Sequence, residues 1–232
     1  MMQVIRADER GKTKIGWLDS KHTFSFGSYY NPNAMGFSTL RVINDDRVAP
    51  GQGFGTHPHR DMEIISYVVE GQLEHKDSMG TGSVIEPGDV QIMSAGTGVT
   101  HSEFNPSSKN PVRFLQIWIP PAERGIKPRY DQKRFGWDER RGKLRVLISP
   151  DGEQDSLPIH QDARILGGLF DEGEEATLEL PPGRNAWVQV VKGSLEVNGV
   201  ELTEGDGLAV AEEDALEFKG IADSEILVFD LQ

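Results

Sequence analysis

Apolar residues in this chain recur with a period of two and almost nowhere with a period of 3.6. The runs "FSTLRVIND", "MEIISYVVE", "VQIMSAG", "VRFLQIWIP", "LRVLISP", "AWVQVVKGSLEV" and "SEILVFDL" are short and rich in β-branched and aromatic residues. Gly, Pro, Asn and Asp punctuate them, with 26 Gly and 13 Pro in 232 residues. Alternating side chains leave opposite faces of a strand, so such runs build half-buried sheets. Many short strands with turn signals between them predict an all-β sandwich or barrel. Only "DQKRFGWDERR" has room for a turn or two of helix.

The strand pattern is written twice. "YVVEGQLEH" (67–75) and "QVVKGSLEV" (189–197) share Val-Val, Gly and Leu-Glu at the same positions. Downstream of each lies a Gly-Asp turn, "EPGDV" at 86–90 and "TEGDG" at 203–207. Two copies of one β-barrel unit follow: a first domain over 1–121, a polar, Pro/Gly-punctuated connector over 122–143, and a second domain over 144–232.

Charge excludes some functions. Lys and Arg number 24 against 37 Asp and Glu, a formal net charge of −13. Phosphate contacts need clustered cations, so no nucleic-acid partner is expected; a protein partner is compatible with this surface. No cysteine is present, which removes disulfides, thiolate nucleophiles and thiolate metal sites. The N-terminus has no apolar signal core, and no apolar run approaches the ~20 residues of a membrane span. A cytoplasmic protein with no membrane partner is the expectation.

Two of the six histidines, His57 and His59, sit two apart at the head of a strand-like run. On an extended backbone they leave the same face, about 6.6 Å apart along the chain. Pro58 between them favours that extension and, lacking an N–H, marks an edge, bulge or strand start. His101 and Glu103 repeat the spacing in "SAGTGVTHSEF". On neighbouring strands the two pairs would surround one point with three imidazoles and a carboxylate, a sulfur-free site for a divalent transition metal. Glu63 is the competing fourth ligand, but only a bend would return it to His59. His22 reads as a packed or hydrogen-bonded histidine. His75, after a hairpin turn, reads as exposed or as a support behind the ligands. His160 has no visible partner and carries no expected chemistry. Phe54, Met93, Phe104 and Trp118 supply apolar material near the site, more of it core than binding wall.

The repeat acts as a control. Aligning its glycines sets Glu179 and Pro181 opposite His57 and His59, and Phe218 and Gly220 opposite His101 and Glu103. The second copy thus keeps the scaffold without the ligands, which assigns the histidines to a site and not to the fold.

These residues resemble the cupin superfamily and, within it, the pirin family. Gly51, His57, His59, Glu63 and Gly71 follow the first cupin motif; Gly88, Gly98 and His101 follow a degraded second one. "HPHRDMEIISYVVEGQLEHKDSMG" with "GDVQIMSAGTGVTHSEFN" is pirin-like, as are "SFGSYYNPNAMGFSTLRVINDD" and "QIWIPP". The local "RDME", where many pirins have Arg-Gly-Phe-Glu, looks like the bacterial members described as quercetinases. The resemblance covers essentially the whole chain. It implies a bicupin whose first barrel holds one divalent metal through His57, His59, His101 and Glu103. Fe(II) is the ion generally associated with the family, with Zn, Ni, Co, Mn and Cu as alternatives. It implies a quercetin 2,3-dioxygenase that uses dioxygen to open a flavonol and releases carbon monoxide. The ligand set itself offers Glu103 as the group to take the substrate proton. The other implied role is that of a non-enzymatic iron-binding regulator acting through a protein partner, as in eukaryotic relatives.

Overall fold

The computed structural model describes all 232 residues, Met1 to Gln232. Its strands form four sheets, two per unit. In the first unit a seven-stranded sheet runs in the order Arg129–Arg134, Asp89–Ser94, Glu63–Glu70, Val112–Ile119, Val42–Val48, Leu18–His22, Gly11–Ile15. A four-stranded sheet closes the barrel in the order Gly53–His59, Val99–Phe104, Leu73–Asp77, Gly82–Ile85. The second unit repeats this with Met2–Ile5, Gly207–Ala211, Asn185–Lys192, Ser224–Leu231, Ala163–Phe170, Leu144–Ser149 and Leu157–Pro158. Its smaller sheet is Glu175–Glu179, Ala215–Gly220, Ser194–Val197 and Val200–Thr203. The chain is all-β, two barrels in tandem, and no helix is long and apolar enough to cross a membrane.

Each seven-stranded sheet takes an edge strand from outside its own stretch of chain. Met2–Ile5 pairs with Gly207–Ala211 of the second sheet, and Arg129–Arg134, inside the expected connector, pairs with Asp89–Ser94 of the first. The Gly-Asp turns explain where these strands end. Asp206 accepts from the Thr203 N–H (3.1 Å) and from Arg6 (2.8 Å), just past the first of these edge strands. Asp89 accepts from the Glu86 N–H (3.0 Å) and from Arg134 (3.4 Å), the last residue of the other. One carboxylate therefore closes a turn and tethers a strand in each copy. The repeated glycines of the other turn are equally constrained. Gly71 and Gly193 have φ of 79° and 71°, and a Cβ on either would lie 2.8 and 1.8 Å from a carbonyl oxygen. Only glycine satisfies both conditions.

The central strands are buried on both faces, and their alternation separates two environments. Ile64, Ser66 and Val68 of Glu63–Glu70 point into the barrel, whereas Ile65, Tyr67 and Val69 point at the other unit. There they join a 24-residue apolar core drawn from both barrels, including Leu115, Ile117, Trp187, Leu227 and Phe229. At about 1.5–3 kcal/mol for each fully buried aliphatic or aromatic side chain, this shared core binds the two barrels into one body.

Candidate metal centre

The first four-stranded sheet assembles the site. Strand Gly53–His59 pairs antiparallel with Val99–Phe104, with His101 directly across from His57 and Val99 across from His59. The three imidazoles form a near-equilateral triangle, with ring centroids 4.5, 4.8 and 4.8 Å apart. A bulge between His101 and Glu103 shifts the register there, and the strand's alternation still points Glu103 inward, buried.

Tautomers follow from the partners. His57 Nδ1 lies 2.8 Å from the Gly55 carbonyl, which can only accept, so this nitrogen carries the proton and Nε2 presents a lone pair. That lone pair lies 3.0 Å from His101 Nε2. His59 Nε2 and His101 Nδ1 are buried with no hydrogen-bond partner. Burial, reinforced by the neighbouring His57, depresses His59 to about 4. Burial and the three surrounding histidines depress His101 to about 2. At neutral pH these two rings are neutral, the form that binds a cation. One ligand nitrogen from each of His57, His59 and His101 lies within 4.8 Å of the others, a cluster that fits a divalent ion.

Glu103 is held differently. Ser66 donates to Oε1 (2.9 Å) and Gln116 Nε2 to Oε2 (2.7 Å). Burial outweighs these bonds and raises the carboxyl to about 7. Its ligand atoms group with His101 and His75, within 4.8 Å of one another, and not with the full histidine triad. His75, expected as exposed or supporting, is fully buried on the inward face of Leu73–Asp77. Its Nε2 donates to Asp77 Oδ2 (2.9 Å), and its ring lies against Tyr130.

Glu63 faces away from the site. It belongs to the outward set of its strand, accepts from Ser94 (2.9 Å), and lies 3.6 Å from His160 Nδ1. His160 therefore has a partner after all, one supplied by the other barrel. No sequence signal marks that pair, because its members are 97 residues apart and meet only through inter-unit packing.

Beside the triad lies a cavity of about 190 Å³ that His57 and Glu103 both line. Phe54, Phe26, Leu18 and Trp118 form its apolar walls, and the Trp118 ring meets His59 edge-on at 5.0 Å. His22, Asn44, Asp46 and Gln116 form a polar wall. His22 is hydrogen-bonded, to Asn44 Oδ1 (2.8 Å) and Thr13 (2.9 Å). Asp46 Oδ1 is buried without a partner, and burial raises this carboxyl to about 7. Of the four aromatic or thioether candidates, Phe54 and Trp118 line the cavity, Met93 is core, and Phe104 points outward. Asp46 escaped the sequence reading. It sits in "VINDD", where an inward polar residue looks like the end of an apolar run.

The second barrel shows what occupies this place when no site is needed. Val197 pairs with Phe218 as His75 pairs with Glu103, and Leu216 pairs with Leu178 as His101 pairs with His57. Leu180, two residues on, takes the place of His59. All five are buried in one apolar cluster. This corrects the sequence alignment, which chose Glu179, Pro181, Phe218 and Gly220. From the Gly-Asp turn to this strand the second copy is two residues shorter, and from Leu178 to Gly193 it is one residue longer than from His57 to Gly71, so aligning glycines displaced both registers. Leucine, valine and phenylalanine stand where His57, His59, His75, His101 and Glu103 stand in the first barrel.

Comparison with known proteins agrees with this geometry. Residues 4–119 match the Pirin family, and residues 146–231 match a family described as Quercetinase C-terminal cupin domain. The chain is 51% identical over 231 residues to a quercetin 2,3-dioxygenase of Escherichia coli (strain K12), covering 100% of this chain and 99% of that one. The chain belongs to the pirin family. This pirin is also 42% identical over 224 residues to a pirin-like protein of Caulobacter vibrioides, covering 96% of each chain. Among solved structures, bacterial pirin YhhW of Escherichia coli in complex with nickel(II) superposes with a TM-score of 0.95 at 50% identity, covering 100% of this pirin and 99% of that chain.

Proposed function

We propose that this pirin is a metal-dependent dioxygenase that cleaves a flavonol such as quercetin with release of carbon monoxide. One observation carries the proposal: three clustered imidazoles, two of them held neutral by burial, stand beside a cavity with aromatic walls that His57 and the buried Glu103 line. His57, His59 and His101 are the ligands, with Glu103 as the fourth. The ion is a divalent transition metal; the relative's nickel(II) complex and the N/O donor set both suit such an ion. When bound, the ion supplies Lewis acidity towards a substrate oxygen and redox capacity towards dioxygen.

The chain's own groups supply the rest. Phe54, Phe26 and Trp118 offer flat apolar surfaces that hold an aromatic ring and exclude water. Asp46 Oδ1, lacking a protein partner, accepts from a substrate hydroxyl at the polar wall. Glu103, a buried carboxylate that lines the cavity, is placed to receive a flavonol proton. Ser66 and Gln116 hold its two oxygens in place while the proton moves.

The test is aerobic turnover of quercetin by metal-loaded protein, following dioxygen uptake and carbon monoxide together. Equal amounts of the two gases are expected. A fully metal-loaded protein that consumes neither flavonol nor dioxygen would contradict the proposal and favour the non-enzymatic regulator.

A further inference from the structure

A second polar cavity, of about 150 Å³, opens where the two barrels meet, and no apolar side chain lines it. Four cations face it, Arg10, Lys21, Arg47 and Arg113, in a chain whose net charge is −13. Three carboxylates share the lining: Asp45 and Glu204 are engaged by Arg113, and Asp19 pairs with Lys14 at 3.2 Å. Arg113 binds Asp45 through two parallel bonds of 2.9 Å, meets Glu204 at 2.9 Å, and donates to the Val191 carbonyl at 3.1 Å.

The other cations are poorly partnered. Arg10 is buried, with 5% of its surface exposed, and its only ion pair is a 3.6 Å approach to the same Asp45. Its Nη1 has no hydrogen-bond partner. Arg47 reaches Glu70 and Glu204 only at 3.9 Å each, and Lys21 is in no ion pair. Two buried arginines thus share one buried aspartate. A buried guanidinium without full compensation is costly, and an added anion removes the deficit. The turn that closes the cavity lies against Arg10: Gly205 has φ of 87°, and a Cβ there would stand 2.6 Å from Arg10 Nη2.

We propose that this inter-barrel cavity binds a small oxyanion, phosphate or a carboxylate of similar size, through Arg10, Lys21 and Arg47. The ligand would rest on the first unit's cations against the second unit's Glu204–Gly205 turn. The site is separate from the histidine cluster, so binding requires neither metal nor turnover.

The experiment is isothermal titration of the full chain with inorganic phosphate and, in parallel, with malonate, ionic strength being held constant with sodium chloride. Saturable binding of either anion is expected, and the tighter arm identifies the ligand class. Lys21→Gln and Arg47→Gln, half-exposed positions whose folding circular dichroism can verify, should each weaken it about ten-fold, the loss of one charge-assisted contact. Arg10→Gln should abolish it; if that variant fails to fold, the other two decide. Absence of saturable binding for both anions, or binding left unchanged in folded Lys21→Gln and Arg47→Gln, would overturn the proposal.

Discussion

His101 illustrates how one residue can serve a site at the expense of the fold. Its ring is buried, its Nδ1 has no partner, and the equivalent position in the second barrel is Leu216. In the metal-free protein, His101→Leu should raise stability by about 1–2 kcal/mol, since it replaces an unsatisfied buried polar group with the residue the sister barrel uses. Urea denaturation of both metal-free proteins measures this, and a lower midpoint for the variant would refute it. Glu103 carries a pH signature. Burial raises its folded-state pKa from 4.5 to about 7, so the folded metal-free protein binds this proton more tightly than the unfolded chain does. The contribution is complete below the unfolded value and is lost as pH rises through about 7. Glu103→Gln removes that loss, so the metal-free variant should gain about 2–3 kcal/mol on its parent between pH 4 and 8. Parallel dependence of parent and variant on pH would show that Glu103 is not held neutral by burial.

At the scale of strands, these edge strands decide how the barrels are joined. Met2–Ile5 covers Gly207–Ala211, and Val4 packs on the second barrel's core. Deleting residues 1–5 should lower stability by about 3 kcal/mol through lost ladder bonds and apolar burial, and should expose a sheet edge that promotes association. An unchanged urea midpoint would mean that this edge strand is ornamental. The same strands mark the limit of what the sequence reveals. Short apolar, β-branched runs such as "MEIISYVVE" announced central strands because both of their faces are buried. "RYDQKR" reads as connector because an edge strand keeps its charged side chains half in water. The i,i+2 spacing of His57/His59 and of His101/Glu103 survives into geometry because extended backbone preserves parity. The inward turn of His75 depends on pairing register with Glu103, and the Glu63–His160 contact depends on inter-barrel packing. Neither leaves a local pattern to read.

At the scale of the molecule, duplication has separated two tasks. One barrel spends its inward face on imidazoles and a carboxylate; the other fills the same positions with Leu178, Leu180, Val197, Leu216 and Phe218. The 24-residue core between them lets the apolar barrel support the polar one. On this account the first barrel holds the protein's single transition-metal ion. The most direct test is metal stoichiometry by mass spectrometry of untagged protein after anaerobic Fe(II) addition and desalting, beside His101→Leu. Roughly one ion per chain in the parent and almost none in the folded variant is the predicted result. Less than about a tenth of an ion in the parent, or equal loading of the variant, would contradict it.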